Sequence, residues 1–267
     1  MDAGLKAAVL IIVFLYGIVV GSFLNVCIYR IPLKQSLSKK RSHCMTCGYQ
    51  LRWFDLIPLF SWLFLRGKCR KCGAKISAQY PIVEASNGIA WVITFWIHGF
   101  DTRTLLLESI LYCLMVSALL ALSVIDFRTY EIPFGFNVFI FCLGVINFVY
   151  RVIFLEKPDI WLYLIGMVLM GAITAIICLF HGMGGGDVKL MVASGLLIGW
   201  KLSVLSFFVA CILGAIIHPI RMKVSKQGHQ LAMGPYLSVG IWIAILFGSQ
   251  IIDWYIKVSG LDRLFGL

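Results

Sequence analysis

Apolar stretches long enough to cross a bilayer follow one another through almost the whole chain. In hydrocarbon every backbone polar group must be satisfied internally, so stretches of this kind fold as helices in a membrane bundle. Eight are legible: 7–28, 82–97, 105–125, 132–155, 160–180, 188–200, 202–220 and 236–252. Hydrophobic residues make up 61% and charged residues 13% of 267 positions, against about 25% charged in soluble domains. The class predicted is an all-α polytopic membrane protein of about eight transmembrane helices. A first helix occupies residues 1–29, the one sizeable polar loop 30–81, and a helical bundle 82–267.

The formal net charge of +11 could suggest a nucleic-acid partner, but the basic residues cluster in loops beside apolar segments, as the positive-inside rule requires. Only Lys6 precedes the first stretch, a basic loop follows it, and no small-residue cleavage site is present, so it reads as an uncleaved helix with its N-terminus outside. Alternating sides from there places sixteen Lys and Arg inside and seven outside. The expected partner is therefore membrane lipid, with no nucleic acid. One stretch is short. Thirteen residues from 188 to 200 reach only about 20 Å against a hydrocarbon core of about 30 Å, so either the helix runs on past Trp200 or its start is submerged.

Before that short stretch lies His181-Gly182-Met183-Gly184-Gly185-Gly186-Asp187. A carboxylate beside lipid is costly and marks a functional site by default, while glycines let backbone approach a neighbour closely. Asp126, in the run Asp126-Phe127-Arg128-Thr129-Tyr130-Glu131-Ile132-Pro133, ends another apolar stretch on the same, inner side. Asp126 and Asp187 are the candidate catalytic pair, with Gly184 and Gly186 as candidate substrate contacts. Two carboxylates sharing one site divide into a general acid and a base that activates water. Glu131 competes by position, but it precedes Pro133 and is expected in water. Glu108, Asp101, Glu156, Asp159, Asp253 and Asp262 fall on the outer side. The chain has no H-E-x-x-H and no G-x-S-x-G, which argues against zinc and serine hydrolysis.

In the polar loop, Cys44-x-x-Cys47 and Cys69-x-x-Cys72 are each followed by glycine. Four thiolates in two such pairs favour a closed, structural zinc site, and a reducing inner compartment disfavours disulfides. His43 adjoins this loop and His229 lies in a basic one. Residues 55–65 between the pairs are too apolar for a free loop and too short to span, so an element lying in the membrane interface is expected. Gly21, Ser22 and Asn25 share one face of the first helix, a pattern that suits close helix packing. An acid in the first turn of a helix favours the helix dipole, the simplest role for Glu84.

Together these motifs resemble the type IV prepilin peptidase family, bifunctional leader peptidases and N-methyltransferases. The resemblance runs through GSFLNVCIYRIP, the paired Cys-x-x-Cys loop, DLIPLFSWLFLRGKCRKCG, QYPIVE, DFRTYEIP, GGGD and LAMGPYLSVG. It implies an aspartic endopeptidase of the bacterial cytoplasmic membrane, with Asp126 and Asp187 catalytic. The substrates implied are type IV prepilins or pilin-like proteins, cut at the cytoplasmic face. It also implies N-methylation of the new N-terminus from S-adenosylmethionine, near the zinc loop and Glu84. Phe134 and Met45 depart from the family pattern without touching the aspartates. The alternative kept open is an ion or proton transporter built on two aspartates. A zinc-containing scaffold would leave the aspartates unexplained, and a presenilin-like intramembrane protease would leave the cysteine loop unexplained.

Overall fold

The computed structural model describes residues 2–39, 41–100, 106–155, 159–225 and 231–260. Of the residues weighed above, Lys40, Asp101, Arg103, Glu156, Lys157, Lys226, His229, Asp262 and Arg263 lie outside the described residues. The chain forms two compact units, Met1–Ile125 and Asp126–Leu267. Among the described residues no strand occurs, only two isolated bridges, His43 with Gln50 and Lys68 with Lys75.

The first unit holds α1 (Ala3–Arg30), the short α2 (Phe60–Phe64), α3 (Gln79–His98) and most of α4 (Leu106–Thr129). Helices α1 and α3 meet backbone to backbone because glycines face each other. A Cβ on Gly17 would stand 2.8 Å from the Gly88 Cα, and one on Gly21 would stand 2.8 Å from the Glu84 Cα. At that separation a buried amide can reach across: Asn87 Nδ2 donates to the Gly17 carbonyl at 2.7 Å. Ser117 Oγ on α4 donates to Asn87 Oδ1 at 2.9 Å and accepts from Trp91 Nε1 at 2.7 Å. This polar relay joins three helices inside an apolar unit, where an unpaired amide would be expensive. The expectation of close packing for Gly21 is met.

The second unit holds the last turn of α4 with α5 (Phe134–Phe154), α6 (Ile160–Leu179), α7 (Gly185–Ser225) and α8 (Gly234–Ser259). Gly199, inside α7, has φ 78° and ψ 170°, a conformation open to glycine and strained for other residues. The chain folds back there. Its first half lies along α5 and α6, with Asn137 Nδ2 on the Gly186 carbonyl at 3.2 Å, Asn147 Nδ2 on the Leu197 carbonyl at 3.3 Å, and Gly195 against Gly166. Its second half lies along α8 in the opposite sense, with Leu202 beside Gly248, Ser206 beside Gly240 and Gly214 beside Tyr236.

Among the described residues six helices are long and apolar enough to cross a membrane: α1, α4, α5, α6, α7 and α8. The expectation of an all-α polytopic membrane protein is met, and the count of about eight is loose against these six. Helix α3 has the length, but Gln79, Glu84, Ser86 and Asn87 lower its hydropathy. The stretches 188–200 and 202–220 are one element interrupted at Gly199. The short stretch starts earlier than the sequence suggested, at Gly185, so the glycine run supplies its first turn.

The α6–α7 seam gives a direct check. A methyl on Gly195 would collide with the Gly166 backbone carbonyl, whereas one on Gly135 meets nothing within 4 Å. Gly195→Ala is expected to destabilise the protein by about 1–3 kcal/mol through overpacking, visible as a lower melting temperature in detergent. Gly135→Ala should leave the melting temperature at the wild-type value.

Candidate functional site

Helix α7 begins at the glycine run, and its start is shaped by backbone that few residues tolerate. His181 has φ 58° and its amide bonds the Cys178 carbonyl at 2.9 Å, turning the chain out of α6. Gly184 then precedes the first helical residue, and Asp187 is the third. The Asp187 amide donates to the Gly184 carbonyl at 3.1 Å, and the Gly184 amide donates back to Asp187 Oδ2 at 3.2 Å. This is the returning half of a capping box, with an aspartate in the usual place of a glutamate. Placement in the first turn also suits the helix dipole. The other oxygen, Oδ1, is buried and has no hydrogen-bond partner among the described residues.

Asp126 lies in the last full turn of α4, where the helix dipole disfavours a carboxylate. Its compensation comes from elsewhere in the second unit: the Gly234 amide, at the start of α8, donates to Asp126 Oδ2 at 2.9 Å. Only glycine fits, because a Cβ at 234 would stand 2.7 Å from that oxygen. Asp126 and Asp187 are 4% and 7% exposed, and the two carboxylates are close enough to interact electrostatically.

The loop between α4 and α5 completes the surroundings. Tyr130, at φ 56°, ends α4 with its amide on the Asp126 carbonyl at 2.8 Å, and Pro133 precedes α5. Ile132 is thereby laid over Gly186, whose Cβ would stand 3.0 Å from the Ile132 Cβ. Three sequence motifs thus converge: the run from Asp126 to Pro133, the glycine run, and Met233-Gly234-Pro235. Glu131 is exposed, as expected. Glu108 is buried and accepts from the Tyr112 hydroxyl at 2.7 Å. Gly234 and Asn137 received no role from the sequence, although a Gly-Pro pair opening a helix and an asparagine in an apolar segment were signals for them.

The first unit carries the cysteine loop as two copies of one turn. Gly48 and Gly73 have φ 68° and 71°, and their amides donate to the Cys44 and Cys69 carbonyls, each at 2.9 Å. The Cys44 and Cys69 amides in turn donate to Tyr49 and Ala74, each at 2.8 Å. All four sulfurs lie within 4.8 Å of one another, and Cys44 and Cys72 are 3.9 Å apart. A tetrahedral ion with bonds of about 2.3 Å needs sulfurs about 3.8 Å apart, so the donor set fits a metal. The charges agree. Amide hydrogen bonds from Cys47 and Thr46 pull the Cys44 thiol down to about 6. At Cys72 the Ala74 amide pulls the same way, but the neighbouring sulfurs and burial push that thiol up to about 11. One thiolate forms readily and repels the next, a conflict that a divalent cation at the centre removes.

The loop is braced by Asp55, which takes Arg70 Nε at 2.7 Å, the Arg52 amide at 3.1 Å and the Tyr49 hydroxyl at 3.3 Å. Trp53, Leu63 and Phe64 are exposed on the same segment, in keeping with an element that meets an apolar surface. Glu84 is the sixth residue of α3, past its first turn, so the helix-start role expected for it is not met; the helix begins earlier, at Gln79, and Glu84 is used elsewhere in this unit. Its Oε2 accepts the Leu59 amide at 2.7 Å. Leu59, at φ 61° and ψ −56°, centres a γ-turn closed by the Phe60 amide on the Pro58 carbonyl at 2.7 Å, the rarer and strained form of that turn. Glu84 therefore anchors strained backbone beside a cavity of about 700 Å³.

Comparison with known proteins places this geometry. A model of the Bacterial Peptidase A24 N-terminal domain matches residues 15–98, and one of the Type IV leader peptidase family matches residues 113–218. A prepilin leader peptidase/N-methyltransferase of Stutzerimonas stutzeri is 30% identical over 273 residues, covering 92% of this chain and 93% of its own. The chain belongs to the type IV leader peptidase family. Proteins of the same name from Aeromonas hydrophila, at 31% identity (92% and 93% covered), and from Bacillus subtilis (strain 168), at 29% identity (93% and 98% covered), are similarly matched. No solved structure matches the chain. The two family matches cover the cysteine loop with α1 and α3, and α4 through most of α7, respectively.

The Asp55 brace has a signed pH dependence. Burial pushes its carboxyl up, but Arg70, the Arg52 amide and Tyr49 together hold it below the ordinary range. A depressed folded value contributes stability that is complete above the unfolded value of about 3.9. That contribution is lost as pH falls through the lower folded value. Metal-free wild type is expected to lose more stability than Asp55→Asn between about pH 5 and pH 3, read by melting followed through tryptophan fluorescence.

Proposed function

We propose that this protein is a bacterial inner-membrane aspartic endopeptidase that removes the basic leader from type IV prepilins or pilin-like proteins, then N-methylates the new N-terminus with S-adenosylmethionine. The observation that carries the peptidase reading is the meeting of Asp126 and Asp187, each buried and each holding one glycine amide through Oδ2. Fixing one oxygen of each carboxylate leaves the other for chemistry. One aspartate takes a proton from water as it attacks the scissile carbonyl while the other donates a proton to the carbonyl oxygen; as the tetrahedral intermediate collapses, the first passes the water proton to the departing amine and the second recovers its own. The products are the free leader carboxylate and the mature chain with a new α-amine.

The Gly184–Gly186 backbone, with Ile132 above it, is the surface along which an extended peptide lies. The matched families are peptidase families, which favours hydrolysis over the transport alternative. A leader is basic and its mature start is an apolar helix, so the cut falls at the cytoplasmic face, the side to which the charge distribution assigns both aspartates. The four cysteines hold zinc, a closed thiolate site that stabilises the loop and takes no part in cleavage. Methyl transfer belongs to the first unit, with Glu84 among its residues.

Asp126→Asn and Asp187→Asn should each lower leader cleavage by at least about 10³-fold in membranes with melting temperature preserved, in line with losses at paired catalytic groups. Glu131→Gln should remain within about threefold. Near-normal cleavage by either asparagine variant would remove the pair from the mechanism.

The zinc assignment predicts one ion per chain in protein purified without chelators, measured by elemental analysis. Cys44→Ser should lose the ion and lower the melting temperature, while chelation of the wild type should reproduce that loss. Metal-free protein of unchanged stability would contradict the structural role.

A further inference from the structure

The first unit holds a cavity of about 700 Å³, whose lining includes Asn25, Tyr29, Ser36, Trp62, Tyr80 and Glu84. That size falls within the about 300–1,000 Å³ of small-molecule sites. The side chain that singles it out is Asn25, 3% exposed. Its Nδ2 donates to the Tyr80 carbonyl at 3.1 Å and the Gly21 carbonyl at 3.4 Å, which fixes the amide's orientation, since only the nitrogen can give both bonds. Its Oδ1 is left buried with no partner among the described residues. A buried acceptor without a donor is costly, and one held in place by the other end of its own amide calls for a donor from outside.

The charges in the cavity narrow what that donor is. Two acids and four bases line it: Asp55 is committed to Arg70, Arg30 to the Ser36 and Leu37 carbonyls, and Lys39 and Lys75 complete the basic set. Glu84, tied to α3 and to the strained Leu59 turn, is the second acid. Within that lining an orphan acceptor, the Glu84 carboxylate and the rings of Tyr29, Trp62 and Tyr80 offer partners to an ammonium, while Lys39 and Lys75 offer partners to a carboxylate.

We infer that this cavity is the methyl-transfer chamber, binding S-adenosylmethionine together with the α-amine of the newly cut chain, and that Asn25 Oδ1 accepts a hydrogen bond from that amine. The inference rests on the methyl-transfer reading above and gives it a place and a recognition residue. The incoming α-ammonium gives one proton to the Glu84 carboxylate. The neutral amine, held by Asn25 through an N–H, keeps its lone pair free and attacks the methyl carbon of the sulfonium. The N–C bond forms as the S–C bond breaks, the electron pair stays on sulfur, and S-adenosylhomocysteine leaves as a neutral thioether. The amine is left as a methylated ammonium. The cavity recognises the amine rather than the sequence behind it, so an acetylated N-terminus lacks the ammonium proton that Glu84 receives.

The test uses full-length protein in lipid nanodiscs, with S-adenosylhomocysteine as the calorimetric probe and a synthetic peptide with a free, apolar N-terminus as methyl acceptor. Asn25→Ser should raise the KM for the peptide by about tenfold or more, the loss expected for one hydrogen bond to a charged group, while probe affinity stays within about threefold. Ser36 is exposed at the cavity rim, so Ser36→Trp should fold normally and weaken the probe by about tenfold or more. Melting temperature and metal content verify folding of both. An unchanged peptide KM in folded Asn25→Ser would overturn the role of Asn25. Unchanged probe affinity in Ser36→Trp would overturn the chamber, even where Asn25→Ser fails to fold. Wild type that neither binds the probe nor methylates the peptide would overturn the methyl-transfer reading itself, and the chamber with it.

Discussion

A carboxylate taken out of water must be given hydrogen bonds in return, and in the second unit both buried aspartates are given them by glycine amides. Gly184 serves Asp187 and Gly234 serves Asp126. Backbone donors suit this setting because they come with rigid helix starts and bring no side chain of their own. They also dictate sequence: the residue whose amide points at a carboxylate from 2.9 Å away has no room for a Cβ on the same side. The chain fold follows from this need. The glycine run opens α7, Gly199 folds α7 back so that α8 can lie along it, and the start of α8 arrives with its amide on the last turn of α4.

What the sequence disclosed was the chemistry, and what it concealed was the compensation. Buried acids in an apolar chain stand out, and paired Cys-x-x-Cys-Gly turns have a spacing with a single economical use. The amide that stabilises Asp126 comes from 108 residues away, and no local pattern announces a contact of that range. Asn25 went the same way. Its place on a glycine-lined helix face suited packing, and it does pack, but the same side chain leaves its buried oxygen without a partner in the lining of a cavity that the loop forms with α1 and α3. The span count came out loose for a related reason. Hydropathy does not register that a single glycine with positive φ turns two short stretches into one folded-back element. Nor does it register that Gln79, Glu84, Ser86 and Asn87 give α3 a second use as the polar wall of the first unit.

The cysteine loop and the glycine seams solve one problem at two scales. A loop of about fifty residues carrying exposed Trp53, Leu63 and Phe64 cannot build a core of its own. Its order comes instead from the two cysteine turns, the Asp55–Arg70 pair and the anchor from Glu84 to Leu59. Each tie reaches from one short segment to another, so the cavity they enclose is held from several sides while its rim stays open. In the helices the same end is reached by removing side chains: Gly17, Gly21 and Gly88 draw α1 and α3 together, and Gly166 and Gly195 do so for α6 and α7.

The two proposed chemistries fall in different units, and their order follows from the atoms involved. Cleavage releases an α-amine that does not exist in the prepilin, where the same nitrogen belongs to a peptide bond whose lone pair is delocalised into the carbonyl. An amide nitrogen of that kind cannot attack a sulfonium methyl, so transfer must follow the cut. The chamber then meets its acceptor only as a fresh ammonium on an apolar helix start. A buried neutral acceptor beside one carboxylate suits that group, because it prefers the charged amine to the uncharged peptide nitrogen it came from. Selection for the cleaved chain would therefore reside in the protonation chemistry of its first atom, with no need for the two units to exchange a signal.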